Sequence, residues 1–288
     1  MANVKIVTDS NSGITQKEGE ELGITVLPMP FVINGKEYFE DINLTQPEFY
    51  EFLKSDADVH TSQPAVGSIT ELWDSLLEDG SEIVHIPMSS GLSESCRTAE
   101  ALAKDYGGRV QVVDNQRISI TMRHSVLNAI KLKNEGKSAK EIKDALVASK
   151  FDSSIYISLD TLKYLKKGGR LTPAAALIGT LLGIRPVLQI QGAKLDAFKK
   201  VKTMRKAKEV MIEAIRSDLT NRFADLVKKG EMRMYVAHTN NDAEAEKFAE
   251  ELKGAFPEIP FLYINPLSLS VSCHIGPGSL AVAIGREL

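Results

Sequence analysis

The 288-residue chain is 43% hydrophobic and 25% charged, a globular composition long enough for two modest cores, and its 35 basic and 38 acidic residues leave a formal charge of -3. That balance provides no sequence-independent attraction to nucleic acid or to anionic lipid surfaces, so an acidic ligand has to be held locally. Cys96 and Cys273 lie far apart with no CxxC partner, which leaves neither a disulfide framework nor a zinc site, and Met1-Ala2-Asn3-Val4-Lys5 runs into a strand pattern without signal-peptide features, so a reducing cytoplasm is the expected location.

Residues 4–9 form a β-rich run ending in the polar turn Ser10-Asn11-Ser12-Gly13, and residues 15–22 read as a short helix. A strand over 24–33, a helix near 46–53 and a helix after Ser68 follow, Ser68 and Glu71 having the spacing of a capping box. Residues 83–88 are another apolar run, after which Ser89-Ser90-Gly91-Leu92-Ser93 turns into a helix through Ala103. A strand over 110–113 and helices over 118–133 and 139–149 continue the alternation. Strands alternating with helices predict a parallel sheet covered on both faces, with a ligand crevice at the carboxyl ends of the strands. Thr61-Ser62 and the 89–93 turn fall on that side.

Past Lys150-Phe151-Asp152-Ser153 the pattern changes to a strand over 155–158, helices around 161–166 and 173–182, and strands over 185–191 and 195–201 with a hairpin at Gly192. A long helix over 204–228, a strand over 233–237, a helix over 243–254, a strand over 261–264 and a glycine-flanked tail complete it. The fold class is α/β: an N-terminal domain, 1–152, with a mostly parallel sheet flanked by helices, and a second α/β domain, 153–288, with a mixed sheet. The longest uncharged apolar stretch, 171–184, is shorter than the roughly 18 residues of a membrane span and contains Pro173, Gly179 and Gly183. It reads as buried helix, and no stable membrane insertion is expected.

The 89–93 turn sets hydroxyls and unpaired backbone N–H groups at a helix start, which suits a carboxylate or phosphate, although a serine there can also simply cap its own helix. In Thr61-Ser62-Gln63-Pro64 a second hydroxyl pair is presented by an extended turn, Pro64 holding Gln63 out of helix. Gly91-Leu92-Ser93 with His274 and an aspartate such as Asp242 permits an alternative, a serine hydrolase acting on acyl esters, but the second glycine of a nucleophile elbow is absent because position 95 is Ser95. Gly136-Lys137-Ser138 lacks the earlier glycine of a phosphate-binding loop, Lys131 standing in its place. The five histidines form no metal-ligand spacing, so no metal and no cofactor is expected. The cluster Lys199-Lys200-Val201-Lys202 with Arg205-Lys206 reads as a solvated face or a surface for an acidic partner, not a nucleic-acid site.

Taken together, Asp9-Ser10, Thr61-Ser62-Gln63-Pro64, Ser89-Ser90-Gly91-Leu92-Ser93, Lys167-Gly168-Gly169-Arg170 and His274 with Gly276-Pro277-Gly278 resemble the DegV family, in order and over nearly the whole chain. The resemblance implies a carrier without catalysis of its own, binding a long-chain fatty acid in an apolar tunnel between the domains and serving a partner fatty acid kinase that forms an acyl phosphate. It implies that Thr61 and Ser93 bond the carboxylate, with Ser62, Ser90, Gly91 and His274 in the ligand site, and that Arg170 and His274 face the partner. The small residues of 171–188 are expected to cover the acyl chain. Glu94-Ser95-Cys96 departs from the Gly-Thr-Tyr common at that place, and Glu94 is expected to point outward.

Overall fold

The first apolar run is strand β1 (Val4–Asp9) in the computed structural model, which describes residues 3–55, 57–176 and 183–288. The chain divides into one unit of Met1–Lys150 with Ser268–Ser270 and Leu288, and another of Phe151–Leu267 with Val271–Glu287.

In the first unit β1 is followed by α1 (Gln16–Leu22), β2 (Thr25–Leu27), β3 (Pro30–Ile33), β4 (Lys36–Phe39), α2 (Gln46–Lys54), β5 (Val59–Thr61), α3 (Val66–Leu77), β6 (Glu82–Ile86), α4 (Ser95–Ala103), β7 (Val110–Val112), α5 (Ser119–Asn134) and α6 (Ala139–Ala148). Strands pair in the order β2-β1-β6-β7, all parallel. Side chains alternate across such a sheet: Ile6 and Val84 pack with Val126, Ile142 and Leu146 of α5 and α6. Their neighbours Val7 and Ile83 pack on the opposite face with Ile69 and Trp73 of α3 and Ala99 of α4. Thr45 with Glu48, and Ser138 with Glu141, close reciprocal capping boxes on α2 and α6.

The single strand expected over 24–33 is two strands in two sheets. Pro28 and Pro30 bring no N–H donors, so the ladder of β2 cannot continue through them. After the break, β3 enters a separate antiparallel sheet in the order β4-β3-β5. Asn34 and Gly35, at φ of 50° and 82°, make the tight turn between β3 and β4 that an Asn-Gly pair favours. The capping box expected at Ser68 is also corrected: α3 begins at Val66, with Ala65 as its cap, so Ser68 lies inside the helix.

The second unit holds β8 (Ser153–Ser158), α7 (Lys163–Lys167), α8 (Pro173–Ala176), β9 (Arg185–Ile190), β10 (Asp196–Val201), α9 (Met204–Thr220), α10 (Ala224–Lys228), β11 (Met232–His238), α11 (Asp242–Ala255), β12 (Phe261–Pro266), most of α12 (Leu269–Ile275) and β13 (Leu280–Arg286). Its sheet runs β10-β9-β8-β13-β11-β12, and it is mixed because β11 and β12 pair in parallel while the other neighbours are antiparallel. Met211 and Ile215 of α9 and Phe248 and Leu252 of α11 pack on Val236, Val282 and Ile284 of this sheet.

The long helix expected over 204–228 is broken at Asn221, whose side-chain amide donates to the Ser217 carbonyl at 2.9 Å. The glycine-flanked tail, to which no element was assigned, contains α12 and the central strand β13. Of the expected helix over 173–182, residues 177–182 lie outside the described residues, and with them much of the expected cover over 171–188. Among the described residues no helix is long and apolar enough to cross a membrane.

Candidate ligand site

The turn after β6 is held from both flanks by carboxylates on the neighbouring strands. Asp9, last residue of β1, accepts from the backbone N–H of Met88 at 2.9 Å. Asp114, just past β7, accepts from the Ser90 N–H at 3.3 Å and from its hydroxyl at 2.5 Å. Burial pushes the Asp9 carboxyl up to about 6, opposed by its bonds from Met88 and Asn11. Within the turn the Gly91 N–H donates to Ser89 Oγ at 3.2 Å, and the Ser89 N–H donates to the carbonyl of the buried Arg117 at 2.9 Å. The turn therefore sits at the carboxyl ends of parallel strands, where the alternation of strands and helices places it.

Ser90 thus spends its donor on Asp114. Ser93, half-buried, accepts from the Ser95 N–H at 3.2 Å and donates to Ser95 Oγ at 3.1 Å. The helix starts at Ser95, not directly after Ser93, and the backbone N–H groups of Cys96 and Arg97 have no acceptor among the described residues. Glu94 is exposed and pairs with Arg97 at 2.6 Å, pointing outward as expected. Cys96 is fully buried, and burial raises its thiol far above the ordinary range, so it fills core space and offers no nucleophile.

Thr61 ends β5 opposite Phe31 and is half-buried, whereas Ser62 is exposed, its N–H donating to the Pro30 carbonyl at 3.1 Å. The next residue, Gln63, accepts from the Thr98 hydroxyl of α4 at 3.0 Å. This bond fastens the segment after Thr61 to the start of the helix that follows Ser93.

In the second unit Arg170 and His274 come together. The Arg170 guanidinium donates to the Gly168 carbonyl at 2.7 Å, and the Gly168 backbone lies against the His274 ring. Burial, and then the Arg170 charge, push His274 down to about 4, so the imidazole is neutral near pH 7. Gly276, at φ 78°, approaches Tyr164 so closely that a Cβ would fall 2.3 Å from its ring, so both backbone angle and space demand glycine there. Asp242, the aspartate of the hydrolase alternative, has its carboxylate 3.8 Å from His238.

Asp114 and Glu40 are functional candidates that the sequence reading did not single out. An acid closing an apolar strand run, as Asp9 closes β1, is the signal that also marks Asp114. Glu40 has no such signal: it is buried, accepts from the Leu269 N–H at 2.8 Å and from Gln46 at 2.9 Å, and burial pushes it up to about 8.

The family model described as "Uncharacterised protein, DegV family" matches residues 3–287. Protein DegV of Bacillus subtilis is 30% identical over 284 residues, 97% of this chain and 98% of the relative. The structure of a DegV family protein from Thermus thermophilus, described by its fatty acid binding, is similar with a TM-score of 0.89 at 27% identity, covering 99% of each chain. That of Bacillus subtilis DegV, described as a fatty acid binding protein, has a TM-score of 0.85 at 29% identity, covering 99% of this chain and 100% of the other.

Proposed function

Because this chain belongs to the DegV family, we propose that it binds a long-chain fatty acid and presents the carboxylate to a partner fatty acid kinase, without catalysing a reaction itself. The observation that carries the reading is the fatty acid binding of the Thermus thermophilus and Bacillus subtilis proteins, which share its fold over almost the entire chain. The bond between Thr98 and Gln63 supports the same reading, because it ties the segment after Thr61 to the helix that follows Ser93.

In this proposal the Thr61 hydroxyl, and the Ser93 hydroxyl once it turns from Ser95 Oγ to the ligand, donate to the carboxylate at the positive end of α4. Ser90, Asp9 and Asp114 hold the turn in shape, and Ser62 and Gly91 border it. Burying each methylene contributes ~0.8 kcal/mol, so a long acyl chain offers on the order of 10 kcal/mol before association costs. A hydrogen bond to a charged acceptor contributes about 1.5–3 kcal/mol, so the polar end decides which end of the lipid emerges. Arg170 and the neutral His274 serve the transfer complex, where a kinase must reach the carboxylate oxygen. Mass spectrometry of lipid extracted from natively purified protein tests the reading: one dominant fatty acid near equal stoichiometry is expected, and its absence from protein also offered fatty acid in solution would overturn the assignment.

A further inference from the structure

Ser95, the first residue of α4, is 4% exposed, and among the described residues its hydroxyl meets only that of Ser93. Ser93 is held through its backbone: its N–H donates to the Ser89 carbonyl at 3.2 Å, and the Ser89 N–H donates to the Arg117 carbonyl. The start of α4 is fixed as well, the Thr98 N–H donating to the Glu94 carbonyl at 3.0 Å. Two hydroxyls 3.1 Å apart, one half-buried and the other buried, thus stand on anchored backbone, and only their hydrogens are free to turn.

A hydroxyl has one hydrogen and two lone pairs. Ser93 Oγ spends its hydrogen on Ser95 Oγ and one lone pair on the Ser95 N–H at 3.2 Å, which leaves one lone pair. Ser95 Oγ accepts from Ser93, and its own hydrogen has no acceptor among the described residues. A carboxylate that takes the Ser93 hydrogen therefore leaves complementary parts behind: a lone pair on Ser93 and a hydrogen on Ser95. We infer, on the fatty acid reading of this turn, that Ser95 is a positioning residue whose hydroxyl reverses and donates to Ser93 Oγ when Ser93 donates to the ligand. The contact between the two oxygens persists in either sense, so binding breaks no bond inside the protein. A Ser93 oxygen that accepts two bonds is also a stronger donor to the anion. Without the reversal Ser95 would be a competitor that keeps the Ser93 hydrogen from the ligand, and the two arrangements give opposite effects when the Ser95 hydroxyl is removed.

Calorimetry of the full chain with palmitate and with oleate, each set against its primary alcohol, measures this. Ser95→Ala should weaken acid binding about two- to tenfold and alcohol binding less, while Ser95→Thr should bind acid as the unaltered chain does. Because Ser95 acts through Ser93, Ser95→Ala should cost nothing further in a Ser93→Ala background. Melting curves confirm that each variant is folded, and Ser95→Cys, whose thiol is a weak donor, should also weaken acid binding and serves if the alanine variant does not fold. Tighter or unchanged acid binding by Ser95→Ala, no recovery in Ser95→Thr, equal loss for acid and alcohol, or the same loss in the Ser93→Ala background would each overturn the inference. Failure of the unaltered chain to bind either acid would instead sink the fatty acid reading, and the role of Ser95 with it.

Discussion

The Gly168 backbone and the His274 imidazole approach so closely that a Cβ on Gly168 would lie 2.0 Å from Nδ1. Gly168 has φ of -80°, an angle open to any residue, so the demand for glycine here is purely steric. Gly168→Ala is expected to destabilise the protein by about 1–3 kcal/mol through overpacking, and His274→Ala to relieve most of that loss. Denaturant unfolding of the two single variants and the double variant reads the coupling, and additive effects would refute the contact.

His274 is expected to titrate near 4, because burial and the Arg170 charge both disfavour the imidazolium. A depressed histidine contributes stability that is present above its ordinary value of 6.5 and is lost as the pH falls through about 4. Removing Arg170 takes away only the smaller cause, so Arg170→Ala should raise the midpoint part of the way. Ring-proton NMR against pH measures this, and an unmoved midpoint would show that the two side chains do not interact.

The same pair carries a functional expectation. Arg170→Ala and His274→Ala should keep most fatty acid binding yet strongly reduce acyl-phosphate formation with the cognate kinase. If both residues are merely structural, melting temperature drops and turnover of the folded fraction stays normal. Affinity, melting and turnover recorded on the same preparations separate the two outcomes.

Glu40 gives a pH dependence of the opposite sense. Its carboxyl is pushed from 4.5 up to about 8, first by burial and with help from Asp41, against bonds from Leu269 and Gln46. The folded state therefore binds a proton that the unfolded chain has released, and stability falls as pH rises between those two values. Asp9 adds to the trend over a narrower range, up to about 6. Glu40→Gln keeps an acceptor for the Leu269 N–H and should flatten the slope. Urea unfolding across that window that gives parallel curves for both proteins would exclude a buried neutral carboxyl.

Ser93→Ala and Thr61→Ala should each weaken fatty acid binding by roughly 1.5–3 kcal/mol, the worth of a hydrogen bond to a charged group, with little change in melting. Ser62→Ala should matter less, because Ser62 is exposed. Calorimetry showing full affinity in both single variants would remove these hydroxyls from the carboxylate site.

The strand–turn–helix opening and the turn after β6 were legible because their signals are local: an apolar run of strand length followed by serine and glycine. The pieces that escaped depend on distant partners. Asp114 matters through Ser90, and Glu40 through Leu269, and neither pairing leaves a trace in the residues between. The Asn34-Gly35 turn carried a readable hairpin signal, obscured by treating residues 24–33 as one strand. β13 was missed because a strand buried on both faces shows no alternation, and its alanines and glycine have weak strand preference. The Ser68-Glu71 spacing misled because a helix can start ahead of such a pair, as α3 does at Val66.

The position of β13 between β8 and β11 bears on how the protein is made. Ser153 pairs with Gly285, so the sheet is joined across almost the full length of the unit, and a contact of that range is slow to form. Until residues 280–286 leave the ribosome, β8-β9-β10 and β11-β12 are separate fragments, each with a long edge awaiting its neighbour. A nascent chain arrested before Leu280 exposes both edges at once, which is the condition under which strands from different molecules join, so late stalling is the most hazardous moment in this chain's synthesis.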